Sequence, residues 1–288
     1  MSEVTCPEPG VYEDVPFDQY VQWPAVSSSR LGQMAKSPKH YLTPFRESTP
    51  SMRLGSLVHC GRLEPLCIAE RYAVLKDWHL DPENVTKSGE KSENKGTVYY
   101  RQKLAEFNEA NSGKELVDRD QYRIMAGICK SIDDDLVARE LFNEAGPVEV
   151  SFVWDDDETG LRCKGRIDKL GPKSSRMTDL KTCADLAQFQ RSIANYGYHR
   201  QAAFYRHGWS VLTGELLTPW LCAVESSAPF CVHAAPLSES SVASGEYEFR
   251  RQLNRVAECH ANGEWPGPDG PDVWEIPEWA MPDLFNLA

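Results

Sequence analysis

Asp168 and Asp179 are separated by ten residues, and Lys181 follows Asp179 two positions later. Alternate residues of an extended strand share a face, so Asp179 and Lys181 point the same way while Leu180 enters the core. Asp168 lies near the end of a preceding strand, and the turn Gly171-Pro172-Lys173-Ser174-Ser175 folds it back beside them. Carboxylates held close together repel unless a cation joins them, and hard oxygen ligands suit Mg²⁺. A lysine beside a metal-bound water can orient that water or take its proton. Such a set is equipped for metal-assisted phosphodiester hydrolysis. A surface hairpin with ordinary charges would need no such arrangement. Here Ile167, Leu170, Met177 and Leu180 mark half-buried strands, whose charges require partners.

The elements that must position these groups can be read from periodicity. Val148 to Trp154, Leu161 to Leu170 and Met177 to Lys181 read as three successive strands, with Asp155 to Gly160 as the first turn and its acids solvated. Helical spacing is predicted over Met52 to Leu63, Val98 to Ala110, Asp118 to Phe142, Asp185 to Leu212 and about Ser238 to Ala261. Two further strands, Thr218 to Val224 and Phe230 to Ala235, precede the last helix. Residues 81–96 are polar and charged and read as a mobile loop. One α/β domain over 1–288 is expected: an irregular arm to residue 25, a mainly helical part over 26–145, a core over 146–263 and a Pro- and Trp-rich tail over 264–288.

Other candidates lie around that core. Gly55 and His59 are four apart and share a helical face, the glycine permitting close backbone approach. Glu149 opens the first strand. Gln201 and Tyr205, again four apart, could hold a phosphate or the attacking water. Ser28 and Ser29, with Ser27, stand at a helix start where backbone N–H groups could receive a terminal phosphate, Arg30 adding charge. A plain N-cap explains the serines equally well.

Bulk properties narrow the field. The net charge of -12 argues against a general nucleic-acid coating protein, because that binding is driven by Lys and Arg, but it leaves room for a local basic groove. Nine cysteines without a CxxC pair read as reduced thiols, and Cys222, Cys231 and Cys259 are too dispersed for an iron–sulfur cluster. With no signal-peptide pattern and no apolar run of bilayer length, a soluble cytoplasmic protein without membrane contact is expected.

In order along the chain, these pieces resemble the PD-(D/E)XK nuclease superfamily, and within it the exonuclease VIII (RecE) nuclease-domain family of phage recombination systems. The resemblance runs through Ser27 to Leu31, Ser37-Pro38, Leu54 to His59, Leu63 to Pro65, Glu149, Thr159 to Leu161, Asp168-Lys169, Asp179 to Thr182, Gln201 to Tyr205 and Glu264 to Pro266. It implies a restriction-endonuclease-like core, a central mixed β-sheet flanked by helices, with a helical N-terminal region. It also implies His59, Asp168, Asp179 and the Leu180 carbonyl as metal ligands and Lys181 as the catalytic lysine. Glu149 would be an additional active-site acid, with Gln201 and Tyr205 supporting the site. Where the motif usually carries proline before the first acid, this chain has Ile167. The activity implied is a Mg²⁺-dependent (Mn²⁺ substituting) 5′→3′ exonuclease on linear double-stranded DNA ends. It would leave 3′ tails for a RecT-like single-strand annealing protein and work as a trimeric or tetrameric ring. The alternatives are an endonuclease of the same fold and a module that binds DNA or a partner without cutting.

Overall fold

The computed structural model describes residues 5–44, 48–270, 273–277 and 280–281. The chain opens with β1 (Gly10–Tyr12) and α1 (Phe17–Gln22), then β2 (Val26–Ser27), α2 (Ser28–Met34), α3 (Pro38–Leu42) and α4 (Pro50–Leu63). The short α5 (Ile68–Arg71) and β3 (Tyr72–Val74) lead to α6 (Val98–Ala110), β4 (Glu115–Val117), α7 (Arg119–Asp134) and α8 (Leu136–Asn143). The central run is β5 (Val148–Asp155), β6 (Arg162–Gly171) and β7 (Arg176–Cys183). After it come α9 (Phe189–Tyr196), α10 (Tyr198–Thr213), β8 (Thr218–Glu225), β9 (Val232–Pro236) and α11 (Glu239–Asn262).

Local chemistry accounts for several of these boundaries. Thr49 caps α4 by accepting the Met52 N–H, and Pro50 occupies the first turn, where its missing donor costs nothing. Asp118 and Gln121 form a reciprocal capping box at the start of α7. The single helix expected over Asp118 to Phe142 is two: Asp135 leaves the helical region at ψ 128° and caps α8 through the Ala138 N–H.

β1, β5, β6, β7, β8 and β9 follow one another across a mixed sheet, with β2 added to β6. β5 to β7 are antiparallel neighbours, and β8 joins β7 in parallel after the α9–α10 crossover. Apolar residues on one face (Phe152, Trp154, Met177, Leu221) pack against α2, α10 and α11. Those on the other (Leu180, Cys222, Val224) pack against α4, α7 and α8. β7 therefore presents Met177 to one layer and Leu180 to the other, as a period of two requires.

The N-terminal segment is more ordered than an irregular arm. β1 pairs with β5 (Val11↔Phe152), and the Tyr20 and Trp23 rings cover Val153. Two- and three-residue strands carry too little alternation to be read from sequence. Residues 81–96 also have defined structure: the buried Asn84 amide donates to the His79 and Ser92 carbonyls and accepts from the Thr97 hydroxyl. At the tail, Trp265 stacks on Tyr41 at 5.4 Å, while residues 271–272, 278–279 and 282–288 lie outside the described residues.

Candidate metal and catalytic site

β6 and β7 pair only from Gly171↔Arg176 to Lys169↔Thr178. The next position in that register would set Asp168 against Asp179, and there the strands part. The Leu180 N–H donates to Asp168 Oδ2 at 2.8 Å, so the carboxylate occupies the fork between the strands. On the other edge of β6, pairing with β5 runs through Val148↔Lys169 and Val150↔Ile167 and skips Glu149 opposite Asp168. Glu149 sits at φ 51°, a left-handed conformation costing of order 1–3 kcal/mol in a non-glycine residue. Backbone strain and a broken ladder thus coincide at the acidic centre.

α4 brings His59 into this fork. Its Nε2 lies 2.8 Å from the Leu180 carbonyl oxygen, which can only accept, so Nε2 carries a proton. Nδ1 is 3.6 Å from Glu149 Oε1 and 3.7 Å from Asp168 Oδ2. Burial alone would depress the imidazole, but the Asp168 and Glu149 carboxylates overcome it and raise its pKa to about 9. Burial also drives the Asp168 carboxyl up, with Asp179 and Glu149 adding repulsion against the pull of His59 and Lys181, to about 7. At Glu149 burial is outweighed by His59 and by the Arg166 guanidinium, whose Nε donates to Oε2 at 2.6 Å, and the carboxyl is held below its ordinary range.

Asp179 and Lys181 face the other layer. Lys181 Nζ contacts both Asp179 oxygens, at 2.8 and 2.7 Å, and lies 4.9 Å from the centroid of the Tyr198 ring. Burial opposes the ammonium charge, yet Asp179 and Asp168 hold it above the usual lysine range. Gln201 Nε2 donates to Asp179 Oδ1 at 3.3 Å. A cleft lined by Asp168, Asp179, Tyr198, Gln201, Tyr205 and Trp220 opens onto these groups.

His59, Glu149 and Asp168 each offer a ligand atom within 4.8 Å of the others, and the Leu180 carbonyl touches His59. Carboxylates, a carbonyl and an imidazole form a donor set suited to Mg²⁺ or Mn²⁺. The buried Asp168 and the half-buried Glu149, which repel each other, are where a divalent charge would be most favourable. Asp179 does not join this group, because its oxygens are taken by Lys181 and Gln201. Glu149, expected as an extra acid, stands where a ligand would.

Other expectations fare differently. Gln201 reaches the site directly. The half-buried Tyr205 lines the same cleft, but its hydroxyl is hydrogen-bonded to the Arg166 main chain and to Tyr20, so it supports β6 rather than bonding the acids. Ser28, Ser29 and Arg30 are not gathered with the acids. Ser27, in register with Lys164, is four residues from the position of Asp168, roughly 13 Å along β6. Ser27 caps α2, and the Arg30 guanidinium donates to the Tyr41 and Thr43 carbonyls at 2.8 Å each, tying α2 to the end of α3. A Cβ at Gly55 would meet Thr182 Oγ1 at an ordinary 3.7 Å, so no close approach forces glycine there.

Sequence reasoning missed Arg166 and Tyr198. Arg166 is buried, bonded to Glu149, to the Val15 carbonyl at 2.8 Å and to Ser151 Oγ at 3.1 Å. Its neighbour Lys164 donates to the carbonyls of Tyr20, Val21 and Trp23 at the end of α1. The alternation Lys164, Arg166, Asp168 was the available signal: three charges on one face of a strand with apolar residues between them.

Residues 27–271 match a family model described as a PDDEXK-like domain of unknown function (DUF3799). A crystal structure of a candidate exonuclease from Eubacterium rectale aligns over 92% of this chain and 96% of that one, with 15% identity and a TM-score of 0.59. That likeness is one of fold. The crystal structure of SSO0001 aligns over 69% of this chain and 86% of that one, at 14% identity and a TM-score of 0.26, and adds no argument. No curated protein matches the chain. No helix among the described residues is long and apolar enough to cross a membrane.

Proposed function

The chain belongs to the DUF3799 family of PDDEXK-like domains, a nuclease fold, and from that premise we propose that it is a divalent-metal-dependent exodeoxyribonuclease acting on the ends of linear double-stranded DNA. The observation that carries this reading is the convergence of His59, Asp168, Glu149 and the Leu180 carbonyl at the β6–β7 fork, with Lys181 on the adjacent face.

His59, Asp168 and the Leu180 carbonyl would hold the metal, with Glu149 closing the set. Asp179 would become a ligand by exchanging its contact with Lys181. A divalent ion held by these residues would supply charge for the scissile phosphate and would lower the pKa of water there. Lys181, released from one Asp179 oxygen, would orient the attacking water through its ammonium N–H groups. Gln201 keeps the remaining Asp179 oxygen in place. Tyr205 and Arg166 hold β6, and with it Asp168, at its spacing from β7.

The likeness to the exonuclease VIII (RecE) family supports 5′→3′ polarity, production of 3′ tails for a RecT-like annealing protein, and a trimeric or tetrameric ring. A ring would explain how a chain of net charge -12 stays on DNA, since topology replaces part of the electrostatic grip. Incubation with Mg²⁺ and one plasmid in two forms tests the reading: linear DNA is degraded from its ends, and the covalently closed form survives. Cutting of the closed form would assign an endonuclease of the same fold. Binding without cutting of either form would assign a non-cleaving module.

A further inference from the structure

α9 and α10 are separated by a single residue, Gly197, at φ 68°. A Cβ at that position would lie 2.3 Å from the Arg200 guanidinium. In an unbroken helix, residues two apart do not face each other. The left-handed break changes this, bringing the Tyr196 and Tyr198 ring centroids to 5.7 Å at an interplanar angle of 34°. The Phe189 ring lies 6.0 Å from that of Tyr198, tilted by 32°.

The two tyrosines differ in their surroundings. Tyr198 lines the cleft with Asp168, Asp179 and Gln201 and carries the Lys181 ammonium above its ring. Tyr196 is 68% exposed and extends the aromatic surface from the cleft into solvent. Sequence-tolerant binding of an unpaired base requires such a platform beside the phosphate-cutting groups, because every base has a π-face. It also suits an acidic chain, since stacking adds affinity that salt does not screen, unlike phosphate contacts.

We propose that Tyr196 and Tyr198 form a stacking shelf for the nucleobase flanking the scissile phosphate, so that the strand being cut enters the cleft with that base unstacked from its duplex neighbour. The proposal rests on the nuclease reading and adds the subsite that separates the strand end.

The test uses linear duplexes carrying 2-aminopurine at the terminal nucleotide, 5′ in one and 3′ in the other, with Ca²⁺ replacing Mg²⁺ to permit binding without turnover. Binding to the wild-type protein and to Tyr196→Phe should quench the fluorophore at one of the two ends. Tyr196→Ala and Tyr196→Leu should lose the quenching and bind about tenfold more weakly with an unchanged salt slope. Melting curves show that each variant is folded, and the wild-type signal tests the shelf without any variant. Absence of quenching at both ends in the wild type, or quenching undiminished in Tyr196→Ala, overturns the shelf. Cleavage of the same duplexes with Mg²⁺ scores the nuclease reading separately. Quenching by wild type and loss of it in the alanine variant, without cleavage, would keep the shelf and reject the nuclease.

Discussion

Metal binding should be strongly coupled to protons at His59. With a pKa of about 9 the imidazole is charged at neutral pH, and a charged imidazole cannot coordinate. Each pH unit below that value costs about 1.36 kcal/mol, so at pH 7 deprotonating His59 lowers Mg²⁺ affinity by roughly 100-fold relative to a fully neutral imidazole, and by about 50-fold relative to pH 9. Asp168, raised to about 7, adds a second proton to be displaced below neutrality. Both groups bind protons more tightly in the folded protein than in the unfolded chain. The sign for these two groups in the metal-free protein is therefore a decline in stability as pH rises from about 4 through 9, steepest between about 6.5 and 7, where both have lost their protons in the unfolded chain and still hold them in the folded one. Metal affinity should run the opposite way, rising about tenfold per unit between pH 7 and 9 and then levelling. Isothermal titration with Mg²⁺ in two buffers of different ionisation enthalpy measures both the affinity and the protons released. About one proton should leave per ion near pH 8, and His59→Gln should bind more weakly and lose the pH slope. An affinity that is flat over pH 7 to 9, with no proton release, would refute His59 as a ligand.

Three further outcomes follow from the contacts. Lys181→Ala should slow single-turnover cleavage by about 10²–10⁴-fold while leaving Mg²⁺ affinity within a few fold, because the ammonium acts on the water rather than on the metal. Tyr205→Phe should cost about 1–2 kcal/mol in denaturant unfolding, by removing a buried hydroxyl bonded to Tyr20 and the Arg166 main chain, and should change the cleavage rate little. Arg166→Met takes the buried guanidinium from the half-buried Glu149 carboxylate and should cost about 3–5 kcal/mol, part of which Glu149→Gln restores in the double variant. Additive effects in that cycle would show that the pair is not coupled.

The core of the fold was legible because its signals are long. β5, β6 and β7 alternate over eight to ten residues, and α6 fills its predicted span, Val98 to Ala110. The ordered motif from His59 to Gln201 named residues that the fold brings together, His59, Glu149 and Asp168 at the fork and Asp179, Lys181 and Gln201 beside it. What sequence did not reveal depends on contacts distant along the chain. β1 and β2 exist because β5 and β6 offer free edges. The roles of Lys164 and Arg166 appear only when α1 and its preceding loop lie over them. Ser28 to Arg30 carried the residues of a phosphate site, but the guanidinium is directed to the carbonyls of Tyr41 and Thr43, which no local pattern announces. The resemblance gives Glu149 as an additional active-site acid, and the register shows how it gets there: it leaves the ladder and turns toward His59.

The central claim is that His59, Asp168 and the Leu180 carbonyl gather a divalent cation at the fork between β6 and β7. Anomalous diffraction from crystals grown with Mn²⁺ tests it most directly. A single strong peak, or the stronger of two, should lie within coordination distance of a His59 ring nitrogen, an Asp168 carboxylate oxygen and the Leu180 oxygen, and vanish in Asp168→Asn. A peak on other residues, or no peak at a Mn²⁺ concentration that supports cleavage, would contradict the account.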